Sequence, residues 1–128
     1  MVSCDPGEMA HIEREMARNP NNLGVGVLDK RTGQVRLFSY DETNGFSMAN
    51  PHLNVAAGHE AAAAMARIPP TEARGFVLAK QGSDWHIFNQ SHLNVPDAQA
   101  NTMRMEDQLF NEIVAALQGA GVQNPVLH

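Results

Sequence analysis

The chain has 128 residues, 43% hydrophobic and 18% charged, with a formal net charge of −5, and that balance excludes a disordered chain. Its nine basic residues are scattered, with only Lys30 and Arg31 adjacent, so no basic stripe points to nucleic acid, and no apolar run approaches the ~20 residues of a membrane span. The lone cysteine, Cys4, forms no internal disulfide and suits a reducing compartment, so a cytoplasmic protein is expected, folded as a single domain over residues 1–128.

Asp5-Pro6-Gly7-Glu8 reads as a helix start: Asp5 caps, Pro6 suits the first helical position, and Glu8 can reach back to the cap. Met9, Ile12 and Met16 then share one face of a helix over 5–19, which Asn19-Pro20-Asn21-Asn22 ends. Residues 23–29 and 34–40 read as a hairpin around the turn Lys30-Arg31-Thr32-Gly33, with Gly33 taking positive φ. Alternation groups Val25, Val27, Val35 and Leu37 on one sheet face, with Leu28 and Phe38 on the other. Residues 41–51 form a polar loop. An Ala-rich helix follows over 58–68, with Ala61, Ala64, Met65 and Ile68 as its apolar stripe. Residues 75–80 and 85–89 form a second hairpin. The strongest helix signal is Met103 to Leu117, where Leu109, Phe110, Ile113, Val114 and Leu117 make a broad apolar face and Gly119 is the expected cap. The tail, 119–128, adds a short edge strand or frays.

The chain also repeats itself. Residues 27–38 lie over 77–88 without a gap, and His52-Leu53-Asn54-Val55 recurs as His92-Leu93-Asn94-Val95. One ββα unit rarely buries its own apolar face, whereas two bury each other's. The expectation is an α+β fold of order α-ββ-α-ββ-α, with an antiparallel sheet of four or five strands and helices mainly on one face. After the N-terminal helix it is built by tandem duplication from units at 23–68 and 75–118, related by a pseudo-twofold.

Six histidines are the candidates for chemistry: His11, His52, His59, His86, His92 and His128. His59-Glu60 opens the second helix, where the dipole favours the Glu60 anion and a neutral imidazole. The bland reading is an ordinary exposed first turn. His52 and His92 hold equivalent places in the repeat. They are either imidazoles brought together as metal ligands or as acid and base, or parts of a helix-entry motif anchored by Leu53 and Leu93. Together His52, His59, Glu60 and His92 could fill a metal site, of no assignable metal, although their spacing matches no compact motif. The zinc-dependent nucleoside deaminases also place a His and a Glu at a helix start after two strands. Their one-residue spacing and later paired cysteines are missing here.

Cys4 stands just before a helix, where a thiolate is stabilised, or is a loosely held terminal thiol. Trp85-His86-Ile87-Phe88-Asn89-Gln90-Ser91 and the helix after it resemble the second half of papain-like cysteine proteases of the Josephin type, over residues 75–118. In that register Arg74 stands where a catalytic His would be and Asn89 where its orienting partner would be. The resemblance therefore implies a related shape with a lost or rebuilt site, to which His86 could contribute a base. Otherwise Arg74 is a surface residue whose stem covers apolar area, and Trp85 belongs to the core.

Two functions follow. The first is a protein-binding or accessory domain acting through protein contact, with a homodimer suggested by the Ala-lined helix and the two-sided apolar sheet. The alternative is a small hydrolase-like enzyme, with His59, Glu60 and His52 or His92 in a cleft between the repeats and the loop at 41–51 as its gate.

Overall fold

The computed structural model describes residues 2–19, 22–40, 55–56, 59–69, 71–89, 93–94 and 107–128. The elements run β1 (Ser3–Cys4), α1 (Pro6–Met16), β2 (Leu23–Asp29), β3 (Gln34–Tyr40), β4 (Val55–Ala56), α2 (His59–Ala66), β5 (Ala73–Gln81), β6 (Asp84–Asn89), β7 (Leu93–Asn94), α3 (Asp107–Gly119) and β8 (Pro125–Leu127). The expected α-ββ-α-ββ-α order is present, with short strands added before, between and after its parts.

The expected antiparallel sheet of four or five strands is instead a mixed sheet of six, in the order β1-β3-β2-β5-β6-β8. Its four inner strands pair antiparallel, whereas β1 joins β3 and β8 joins β6 in parallel. These two short strands come from outside the hairpins. The short edge strand expected of the tail is β8, whereas nothing in the spacing of apolar residues announces the two residues of β1. β4 and β7 form a separate parallel pair.

Helices cover both faces rather than mainly one. Met9, Ile12 and Met16 of α1 and Ile113, Val114 and Leu117 of α3 join Leu28, Val35, Leu37, Phe76, Leu78, Trp85 and Ile87 in one buried cluster. Ala61 and Met65 of α2 join Leu23, Val25, Val27, Val77, Ala79 and Phe88 in a second cluster on the other face. Two-sided burial explains why β5 is buried from Ala73 to Ala79 and reads as a near-continuous apolar run.

Register corrects the face assignment of the first hairpin. The turn at 30–33, with Gly33 at φ 74°, sets Asp29 opposite Gln34, so Val25 faces Phe38 and Leu28 faces Val35. Residues directly opposite share a sheet face. Val25 and Val27 therefore lie on the α2 side, and Val35 and Leu37 on the α1 side.

The repeat does not survive as a superposition. A gapless match carries Leu28 opposite Val35 onto Leu78 opposite Trp85, but Leu78 pairs with Ile87. The second hairpin turns through only Gly82 and Ser83, with Gln81 opposite Asp84, so its outer strand slips by two residues. Duplication is thus not shown by the fold.

Helix ends follow local chemistry. The Asp5 carboxylate accepts from Gly7 N–H at 2.8 Å, as expected of a cap, but Glu8 turns away from the cap and binds Arg36 of β3 at 3.0 Å. The helix α3 continues through Gly119, and the C-terminal cap falls at Gly121, at φ 114°. There Val122 N–H donates to Leu117 O and Gly121 N–H to Gln118 O, a Schellman arrangement that brings the chain back toward the sheet edge.

At the centre of the sheet Gly26 lies opposite Phe76. A Cβ on Gly26 would stand 2.0 Å from Phe76 Cζ, so the ring occupies the space a side chain would need. Two strand positions away, a Cβ on Gly24 would stand 2.9 Å from the Met16 sulfur of α1. Gly26→Ala is expected to cost about 2–3 kcal/mol in urea unfolding, and adding Phe76→Leu, which removes the ring tip, should recover part of that loss. A cost below about 0.5 kcal/mol for Gly26→Ala would contradict this packing.

Candidate functional site

The first turn of α2 carries the pair expected from sequence. His59 begins the helix, and Glu60 follows it with an exposed side chain. His52, His92 and the His59 side chain lie outside the described residues. The two repeated HLNV segments do meet: Val55 of β4 pairs in parallel with Leu93 of β7, and Ala56 with Asn94. Among the described residues no group of three His, Cys, Asp or Glu comes together to hold a metal ion.

A different pair of imidazoles is in contact. His86 Nδ1 lies 2.9 Å from His128 Nε2, with ring centroids 5.2 Å apart. The His128 ring also stacks on Phe88 at 4.2 Å and 17°. Strand geometry places them. Phe88 packs in the α2-side cluster, and His86, two residues earlier on β6, shares its face. The parallel register of β8 sets Val126 opposite His86 and Leu127 opposite Ile87, which carries His128 to the place opposite Phe88. Sequence reasoning missed this partnership because the two histidines are 42 residues apart and only the return of the chain after α3 joins them.

Arg74 is not a surface residue. It is 8% exposed, and its Nη1 donates to the carbonyls of Thr71 and Ala73. A guanidinium stays protonated and cannot replace a histidine base, so the geometry lends the Josephin-like register no catalytic group at this position. Trp85 is core, as expected, at 3% exposure, and Lys80 Nζ sits 5.3 Å from its ring centroid. Lys80 also pairs with Glu13 across an open groove of about 400 Å³ between α1 and the turn after β5, lined as well by Arg14 and Asn22.

Cys4 is neither an activated nor a loose thiol. It lies in β1 opposite Val35 and packs against the α1-side core. Burial, with the Glu8 and Asp5 carboxylates nearby, pushes its pKa up to about 11. Helix-start stabilisation loses here to desolvation and two like charges.

No protein-family model, no curated protein and no solved structure matches the chain.

The Cys4 environment sets a reactivity. With the thiol shifted from an ordinary 9.0 to about 11, its thiolate at pH 8 is about a hundredfold scarcer than that of an exposed cysteine. Alkylation by iodoacetamide should be slower in proportion and keep rising above pH 10. A rate that levels near pH 9 would contradict the buried placement.

Proposed function

We propose that the chain is a small protein-binding or accessory domain, acting through protein contact along the β6–β8 side of its sheet. The observation that supports this is the character of the outermost strand. Val126 at 36% and Leu127 at 47% are the exposed large hydrophobic residues among those described, and both lie on β8. His128 N–H donates inward to Ile87 O, so strand alternation turns the N–H and C=O of Leu127 outward. A free donor and acceptor flanked by two apolar side chains is a surface onto which an extended segment adds as a further strand. Covering both side chains and adding two hydrogen bonds contributes about 4–6 kcal/mol, against which the entropic cost of association counts, so the contact favours weak, transient binding. A second copy of the chain is one such partner, and concentration-dependent sedimentation would report it.

Short extended peptides selected from a displayed library against the intact chain should perturb the amide resonances of residues 125–128 and 85–87. Leu127→Pro removes the outward donor while sparing the inward bonds and should abolish binding, whereas Leu127→Ala should only weaken it. Peptides that perturb another surface, or that bind Leu127→Pro unchanged, would refute the reading.

One observation favours the hydrolase-like alternative: His86 Nδ1 and His128 Nε2 lie 2.9 Å apart, within the reach that proton transfer between an acid and a base needs. On that reading a panel of ester, amide and phosphoester substrates yields a turnover that His86→Gln abolishes without loss of stability.

A further inference from the structure

A second surface does not involve β8. Ala10, Glu13 and Arg14 of α1, with its C-cap Ala17, fall on one helix face and form one wall of the groove of about 400 Å³; Lys80 and Asn22 stand across from them. Ala10 and Ala17 are short, so the helix leaves open a space that longer side chains would fill. The backbone fixes the far wall. Asn22, at φ 52°, donates its N–H to Asn19 O and accepts from Lys80 N–H, each at 3.1 Å.

Two groups in this groove are not used by the protein itself. The first is a charge. The Lys80 ammonium donates to Glu13 and lies 5.3 Å from the Trp85 ring centroid, so one cation and one anion cancel. Arg14 is left over. Arg18, Arg31 and Arg36 are each bonded to a carboxylate, whereas Arg14 has no such partner among the described residues. The residues three and four away from it on the helix are Ala10, His11, Ala17 and Arg18, none of them acidic. The groove thus carries one unbalanced positive charge on a chain whose net charge is −5. The second group is an acceptor. Asn22 Oδ1 is buried without a hydrogen-bond partner, although buried acceptors are almost always bonded and are costly when they are not. The terminal torsion of an Asn is broad, so this oxygen can turn toward a donor that enters the groove.

A cation and an unsatisfied acceptor call for a ligand with a carboxylate and an N–H. We infer that the groove binds an amino-acid unit with a free α-carboxylate, whose carboxylate pairs with Arg14 and whose own N–H donates to Asn22. Both groups of such a unit stand on one carbon, and a groove of about 400 Å³ has room for it. The end of a peptide and a free amino acid share this chemistry.

Titration of N-acetylalanine into the intact chain tests this, with the side-chain NMR signals of Arg14 and Asn22 as the readout. Both signals should shift. The methyl ester, which lacks the charge, and N-acetyl-N-methylalanine, which lacks the N–H, should each bind about tenfold more weakly. Arg14→Gln should erase the advantage of the acid over the ester. Asn22→Gly, which keeps the positive φ, should erase the advantage of the N–H compound over the N-methyl one. Amides of β8 should not move, so this outcome is separate from that of the protein-binding reading. Free alanine and a peptide ending in alanine distinguish the two sources, and binding of either with both dependences upholds the site. The inference is overturned if neither side chain responds to N-acetylalanine, alanine or the peptide. It is equally overturned if the ester or the N-methyl compound binds the wild type as well as the parent does, or if the two variants discriminate as the wild type does.

Discussion

The Phe76 ring lying across Gly26 is the contact around which the rest of this protein is arranged. It sits in the central antiparallel pair, β2 against β5, and both hairpins are built outward from that pair. A side chain at position 26 would collide with the ring, so the glycine is a requirement of close packing rather than of a turn. Gly24 acts in the same way toward Met16 and seats α1 on that face. With Gly24 and Gly26 given over to this packing on the α1 side, Leu23, Val25 and Val27 fill the opposite face, where Ala61 and Met65 of α2 cover them.

The two edges of the sheet are finished by segments that the hairpins do not supply. β1 precedes the first helix and β8 follows the last, and each adds in parallel to the outer strand of a hairpin. The strand order is therefore symmetric in outline, while the hairpin turns differ by two residues and the outer strands slip accordingly. The outline suits two units burying each other's faces. The residue-by-residue match that suggested duplication does not extend through the outer strands.

The same edge gathers much of the chemistry that the described residues offer. Exposed apolar side chains, a free peptide group and an imidazole pair occupy one short strand and its neighbour. Of the expected site residues, Glu60 is displayed at the start of α2, while His52, His92 and the His59 side chain lie outside the described residues. His86 carried a weaker expectation, a base in a rebuilt protease-like site, and it is in contact with a residue to which no role had been given. Cys4 shows why position along a helix is not enough to assign reactivity. A cap position stabilises a thiolate only where water or a cation also reaches it, and here the sulfur faces the core beside two carboxylates.

By itself the sequence determined the local elements and the buried faces of the helices. Met9, Ile12 and Met16, the hairpin turn with Gly33, the Ala61–Met65 stripe and the Ile113–Val114–Leu117 face were all legible, because helical and strand periodicities are written in neighbouring residues. Tertiary structure alone decided which hairpin face meets which helix, where the sheet ends, that Glu8 serves Arg36 rather than the cap, that Arg74 is buried, and that His86 meets His128. Each of these depends on register or on a contact between distant segments. A shift of one residue exchanges the two faces of a strand, and a three-residue strand is specified by the edge that receives it rather than by its own composition.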